Sequence, residues 1–211
     1  MGVGPLRTPR LLLRLPRAAD VAQVAVLLND PLISRHIPHI PYPFGLAQAR
    51  KWVKDKWRVR KDAVHGRGYD FVMEHEGRIV GGCHISWNAR DARMLLGYWV
   101  GKPYRGRGFA TETTRALIEF GFRKLRAQKI WAIAFSDNRA SRRVLENAGM
   151  QREMYLRSHV FDRGRRRADV YYGLTRADWS AARRPRLSAR RPRAERAQSP
   201  RHVGKTRRIT C

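Results

Sequence analysis

The chain has 211 residues, 43% of them hydrophobic and with six Trp, seven Tyr and seven Phe, which suits one domain with a sizeable core. Its formal charge of +28 is unusual: eleven Lys/Arg and one Glu lie between Arg183 and Arg208, leaving 34 basic and 16 acidic residues up to Ala182. Cys83 and Cys211 are the only cysteines, so a disulfide framework or CxxC metal site is excluded, no metal is expected, and a reducing cytoplasm fits.

In chain order, LLLRL (Leu11–Leu15) suits a strand, and the flanking Arg10 and Arg14 do not suit a signal sequence. Val21, Val24, Ala25 and Leu28 recur at helical spacing, with Asp20 as cap. Pro31, Pro38, Pro41 and Pro43 predict a loop without regular helix. Leu46, Ala49, Val53 and Trp57 mark a second amphipathic helix. Tyr69–His75, Arg78–Trp87 and Arg93–Val100 read as an antiparallel meander. Ala110, Thr114, Leu117, Ile118, Gly121, Phe122 and Leu125 form a strong helical stripe. KIWAIAF (Lys129–Phe135) is a strand too apolar for a wet face. A short helix follows, started by Asp137 or Asn138 and stopped by Gly149. Met154–Phe161 and Ala168–Leu174 are further strands, and Thr175 to Asp178 resembles a capping box. No 18-residue apolar run is present, so no membrane helix is expected. Residues 1–182 read as one α+β domain, a mixed sheet flanked by helices. Residues 183–211 read as a disordered Arg/Pro-rich tail that is either solvated or attached electrostatically to RNA.

The stretch GKPYRGRGFATET (Gly101–Thr113) joins a strand to a helix. Backbone N–H groups at such a helix start lack intrahelical partners, glycines admit a close ligand oxygen, and Arg105 and Arg107 add charge. A Walker loop would need GxxxxGK followed by Ser or Thr, and a dinucleotide fold GxGxxG; neither is present. A phosphate cradle and a basic surface turn therefore both stay open.

Arg105-Gly-Arg-Gly108-Phe-Ala110 matches the Gln/Arg-x-x-Gly-x-Gly/Ala signature of the GCN5-related N-acetyltransferase (GNAT) superfamily. TPRLLLR (Thr8–Arg14), GYW (Gly97–Trp99), YRGRGFATE (Tyr104–Glu112) and NRASRRVLENAG (Asn138–Gly149) resemble its ribosomal-protein N-acetyltransferase branch, over about residues 6–180. The resemblance implies a mostly antiparallel sheet with splayed central strands, and acetyl-coenzyme A as co-substrate. It places the pyrophosphate on Arg105, Gly106, Arg107, Gly108, Phe109, Ala110 and Thr111, and the pantetheine arm beside Trp99 and Val100. The Val100 N–H becomes an oxyanion donor, Asn138 a contact to the cofactor arm, and Ser141 a proton donor to the departing thiolate. Asn138 and Ser141 also suit a helix cap, Tyr98 and Trp99 plain core, and Glu112 a helix-dipole partner.

The carboxylate that relatives carry near the thioester is missing: Leu95, Leu96, Trp131 and Ile133 stand on those strands. Glu74, His84 and His159 are substitutes that read more readily as structural or solvated, so the base is unassigned. Val144-Leu145 stands where many relatives have Leu-Tyr. The implied activity is acetyl transfer to a primary amine, foremost a protein N-terminal α-amine, by a cytoplasmic monomer or homodimer that meets ribosomes or RNA through its tail. A small-molecule amine acetyltransferase and a catalytically weak acyl-CoA-binding protein are the alternatives.

Overall fold

The computed structural model describes residues 4–56, 60–62 and 66–183. Trp57 and the expected tail beyond Arg183 lie outside them. Nine strands among these residues form one sheet. They are β1 (Leu6–Arg7), β2 (Leu12–Arg14), β3 (Arg60–Asp62), β4 (Gly66–His75), β5 (Arg78–Asn88), β6 (Arg93–Val100), β7 (Lys129–Phe135), β8 (Gln151–Asp162) and β9 (Arg165–Thr175). Helices are α1 (Val21–Leu28), α2 (Pro31–His36), α3 (Leu46–Lys56), α4 (Phe109–Arg123), α5 (Arg139–Asn147) and α6 (Arg176–Ala182). The spatial order is β1-β2-β4-β5-β6-β7-β9-β8, with β3 beside β4. Every pairing is antiparallel except β6–β7. A parallel pair needs a crossover, which α4 supplies.

Alternation along the strands sends apolar side chains to both faces, so each face carries its own core. On one, Met94, Leu96, Ala132 and Tyr172 pack under Leu117, Ile118 and Phe122 of α4 and Leu145 of α5. On the other, Val72, Ile79 and Trp99 pack under Val24 and Leu28 of α1 and Ala49 and Val53 of α3. Each fully buried Leu or Ile contributes about 1.5–3 kcal/mol. Gly82 lies under the Trp99 indole; a Cβ there would stand 2.6 Å from its ring nitrogen.

Three expectations change. The proline-rich segment contains α2, because Pro31 occupies its first turn, where a missing N–H is harmless, and the Asp30 carboxylate caps it by accepting from Leu32 N–H at 2.8 Å. Asp20 does not cap α1. Its carboxylate takes both Nη groups of Arg14 at 2.8 Å and the Arg17 N–H at 2.7 Å, since a buried guanidinium fork demands a bidentate partner. Finally, β7 has a wet position: Ile133 is 40% exposed, and among the described residues it does not join the core under α1 and α3.

Candidate active site

β6 and β7 pair at only three positions, Arg93 with Lys129, Met94 with Ile130 and Leu95 with Trp131. Beyond them β6 stays on β5 as far as Val100, and β7 stays on β9 as far as Phe135, so a gap opens between the two central strands. The Gly101 N–H donates to the Val80 carbonyl at 2.9 Å. Alternate residues of an antiparallel strand turn their N–H groups to opposite sides. Tyr98 and Val100 therefore direct theirs into the gap, while Trp99 directs its own to β5. The Trp99 side chain is buried in the second core, edge-on to Trp52 at 6.2 Å.

Gly106 and Gly108 sit at the open end of the gap with φ of 77° and 79°, a left-handed backbone that only glycine adopts freely. Gly108 is the N-cap of α4 and brings no side chain to cap it. The first-turn N–H groups of Phe109, Ala110 and Thr111 thus have no intrahelical acceptor and face outward with the positive end of the helix dipole. Phe109 supplies only its backbone, because its ring is buried between Arg10 and His75. The Arg107 guanidinium lies over the Tyr104 ring at 5.8 Å, and among the described residues it makes no ion pair.

The loop is held from two directions. Arg105 donates to Asp30 at 2.6 Å and to the Val100 carbonyl at 3.1 Å, so its guanidinium ties the loop to the start of α2 and to the last residue of β6. Glu112 accepts from Thr8 Oγ1 at 2.6 Å, from the Arg10 N–H at 2.9 Å and from Arg10 Nε at 2.7 Å, pinning the TPR segment to the first turn of α4. Burial works against the Glu112 charge, but these hydrogen bonds outweigh it and lower its pKa.

On the α5 side, the Asn138 carbonyl oxygen accepts from the Ser141 N–H at 3.1 Å, so Asn138 caps α5. The Tyr98 hydroxyl meets Ser141 Oγ at 3.0 Å and its carbonyl at 3.1 Å. Burial pushes the Tyr98 phenol well above its ordinary value, against the lowering effect of the Ser141 hydrogen bond, and keeps it a neutral O–H. The structure therefore brings Val100, Tyr98, Ser141 and the α4 start around one gap.

Of the substitutes for the missing carboxylate, Glu74 accepts from Arg14 Nε at 2.6 Å. His84 bonds Asp70 at 3.0 Å and Ser86 Oγ at 2.8 Å through its two nitrogens. His159 bonds Asp169 at 2.9 Å through Nδ1 alone. Asp30, Thr8 and Arg10 join the site with no role assigned from sequence, and Tyr98, which reads as plain core, joins through its hydroxyl. Asp30-Pro31 carried a legible cap signal, whereas the partners of Glu112 lie more than 100 positions away.

Comparison with known proteins identifies the family. The pattern of the acetyltransferase (GNAT) domain matches residues 10–151. The ribosomal protein uS5-alanine N-acetyltransferase of Escherichia coli (strain K12) is 27% identical over 189 residues, covering 84% of this chain and 94% of its own. The uncharacterized N-acetyltransferase YnaD of Bacillus subtilis (strain 168) is 29% identical over 176 residues, 83% and 99% of the two chains. Mycobacterium smegmatis RimJ, solved in complex with CoA-disulfide, superposes with a TM-score of 0.69 at 24% identity, covering 85% of this chain and 93% of its own. The chain belongs to the GNAT family and is an N-acetyltransferase.

Proposed function

We propose that this chain transfers the acetyl group of acetyl-CoA to a protein N-terminal α-amine. The observation that carries the reading is the pairing of an uncapped α4 N-terminus, at a left-handed glycine, with a Val100 N–H aimed into the gap between β6 and β7. The first element fits a pyrophosphate and the second a thioester carbonyl. Acetyl-CoA, when bound, supplies the activated acyl group.

The residues divide the work. Backbone N–H groups of Gly108 to Thr111 would hold the pyrophosphate, with Arg107 as the added cation. Arg105 and Glu112 act through the loop shape. The Val100 N–H would accept negative charge developing on the carbonyl oxygen, an effect typically worth about 3 kcal/mol per donor. Ser141, hydrogen-bonded to the neutral Tyr98, would return a proton to the departing thiolate. Holding both reactants in one gap accounts for much of the rate.

An α-amine is favoured as acceptor by the likeness to the uS5-alanine enzyme. Residues 1–182 form the catalytic unit in this reading. The tail from residue 183, with eleven Lys/Arg up to Arg208, draws the enzyme to ribosomes or RNA in the cytoplasm. Mass spectrometry of protein N-termini from cells with and without the gene tests the proposal. One or a few N-termini should lose acetylation with the gene, and an unchanged set contradicts it.

A further inference from the structure

The end of α4 remote from the glycine loop meets α6 around a cleft of about 610 Å³. Its lining carries four cations, Arg123, Lys124, Arg126 and Arg176, and no acid. Phe122 and Trp179 form its apolar wall, their rings 5.1 Å apart. Two guanidinium groups also lie over the Trp179 ring, Arg123 at 5.9 Å and Arg183 at 5.0 Å. Among the described residues Glu119 alone pairs with this group, 2.8 Å from Arg123 and 3.7 Å from Arg183. Asp178, next to Trp179 in sequence, is turned back to Thr175 in the α6 capping box.

A helix C-terminus is the negative end of its dipole and by itself repels an anion. Arg176 removes that obstacle. Its Nη2 donates to the Phe122 carbonyl at 2.7 Å and its Nε to the Ala127 carbonyl at 3.0 Å, so a positive charge sits on the end of α4. Lys124 and Arg126 are exposed, and among the described residues neither side chain has a hydrogen-bond or ionic partner. Arg126 also takes φ of 55°, a left-handed backbone that disfavours any side chain and that helix ends usually give to glycine. No contact of its side chain among the described residues offsets that strain, whereas an anion in the cleft would.

We propose that this cleft binds RNA through its phosphates, as a site in the folded body. The proposal extends the RNA contact assigned to the tail and rests on the reading that RNA is a partner of this chain. Lys124 and Arg126, with the two guanidinium groups on Trp179, spread positive charge over a surface that suits a phosphate chain better than a single anion. Arginine dominates the set, and its flat guanidinium both forks onto phosphate and stacks on bases. From Arg183, at the rim, to Arg208 the sequence holds eleven Lys/Arg and one Glu, a composition suited to the same ligand. Phosphate contacts carry no base information, so binding is indifferent to sequence. The 15 residues of α4 span about 22 Å at the usual rise per residue, so RNA and coenzyme A occupy opposite ends of one helix and do not compete.

The test uses the full chain and a fluorophore-labelled, mixed-sequence single-stranded RNA, with anisotropy followed across a salt series. Each lost phosphate contact reduces the slope of log affinity against log salt by about 0.7, or roughly fivefold in affinity at about 0.1 M salt. Lys124→Ala and Arg126→Gly should each have that effect. Arg126→Gly should not lower the melting temperature, because glycine accepts the left-handed backbone, so weaker binding there is not misfolding. Saturating coenzyme A should leave RNA affinity unchanged. Wild-type affinity and salt slope in the double variant overturn the proposal and leave RNA to the tail. Displacement of RNA by coenzyme A overturns it by placing RNA at the glycine loop. Poly-glutamate that binds as tightly as RNA, and weakens in the same variants, overturns it by making an acidic protein the occupant. A wild-type chain that binds no RNA contradicts the reading of RNA as a partner, a distinguishable result.

Discussion

Gly108 carries two requirements that no other residue meets together. Its φ of 79° costs a β-branched side chain roughly 1–2 kcal/mol, and a Cβ would stand 3.4 Å from Arg10 Nη2 at the mouth of the cradle. Gly108→Val is expected to weaken coenzyme A binding at least tenfold by calorimetry, while the melting temperature falls only a few degrees. The Tyr98–Ser141 contact makes a separate prediction. Tyr98→Phe keeps the ring in its packing and removes the hydroxyl, so kcat should fall about tenfold, or ~1.4 kcal/mol, at constant coenzyme A affinity. Wild-type turnover would reduce the contact to a structural one. The glycines and Ser141 were legible in sequence because a strand–glycine turn–helix pattern and a cap pattern are local. The role of Arg105 was not. Its charge read as a phosphate ligand, but its guanidinium reaches Asp30, a partner 75 positions away.

At the scale of elements, the gap exists because β6 and β7 share three register pairs and then follow different neighbours. The strands themselves were readable from their apolar runs, and the meander from its turns. Where the two central strands part was not, since it depends on pairing with β5 and β9. The proline-rich segment failed for the opposite reason: density of prolines was weighed, whereas position at the helix start decides. Glu112 links the TPR segment to α4, and its charged form is favoured in the fold. A folded pKa below the ordinary value of 4.5 gives stability that is present above that value and lost as pH falls through the folded one. Glu112→Gln should therefore destabilise by about 1–2 kcal/mol near pH 7. The deficit relative to wild type should shrink below pH 4.5 in denaturant titrations. A deficit independent of pH would show that shape, not charge, holds the link.

For the whole molecule, two cores on opposite faces fix the sheet, and Tyr98 and Val100 beside the gap pack against one of them. Truncation after Ala182 should leave kcat intact and lower both RNA affinity and the steepness of its salt dependence, because fewer phosphates are neutralised. Unchanged affinity would assign RNA contact to the folded body. The central claim is acetyl transfer to an α-amine, and isotope labelling addresses it most directly. The full chain is incubated with acetyl-CoA carrying a labelled acetyl group and with peptides bearing both a free N-terminus and a lysine, and tandem mass spectrometry locates the label. The account predicts label on the α-nitrogen of a subset of peptides. Label confined to lysine, or acetyl-CoA binding without transfer to any peptide, would contradict it.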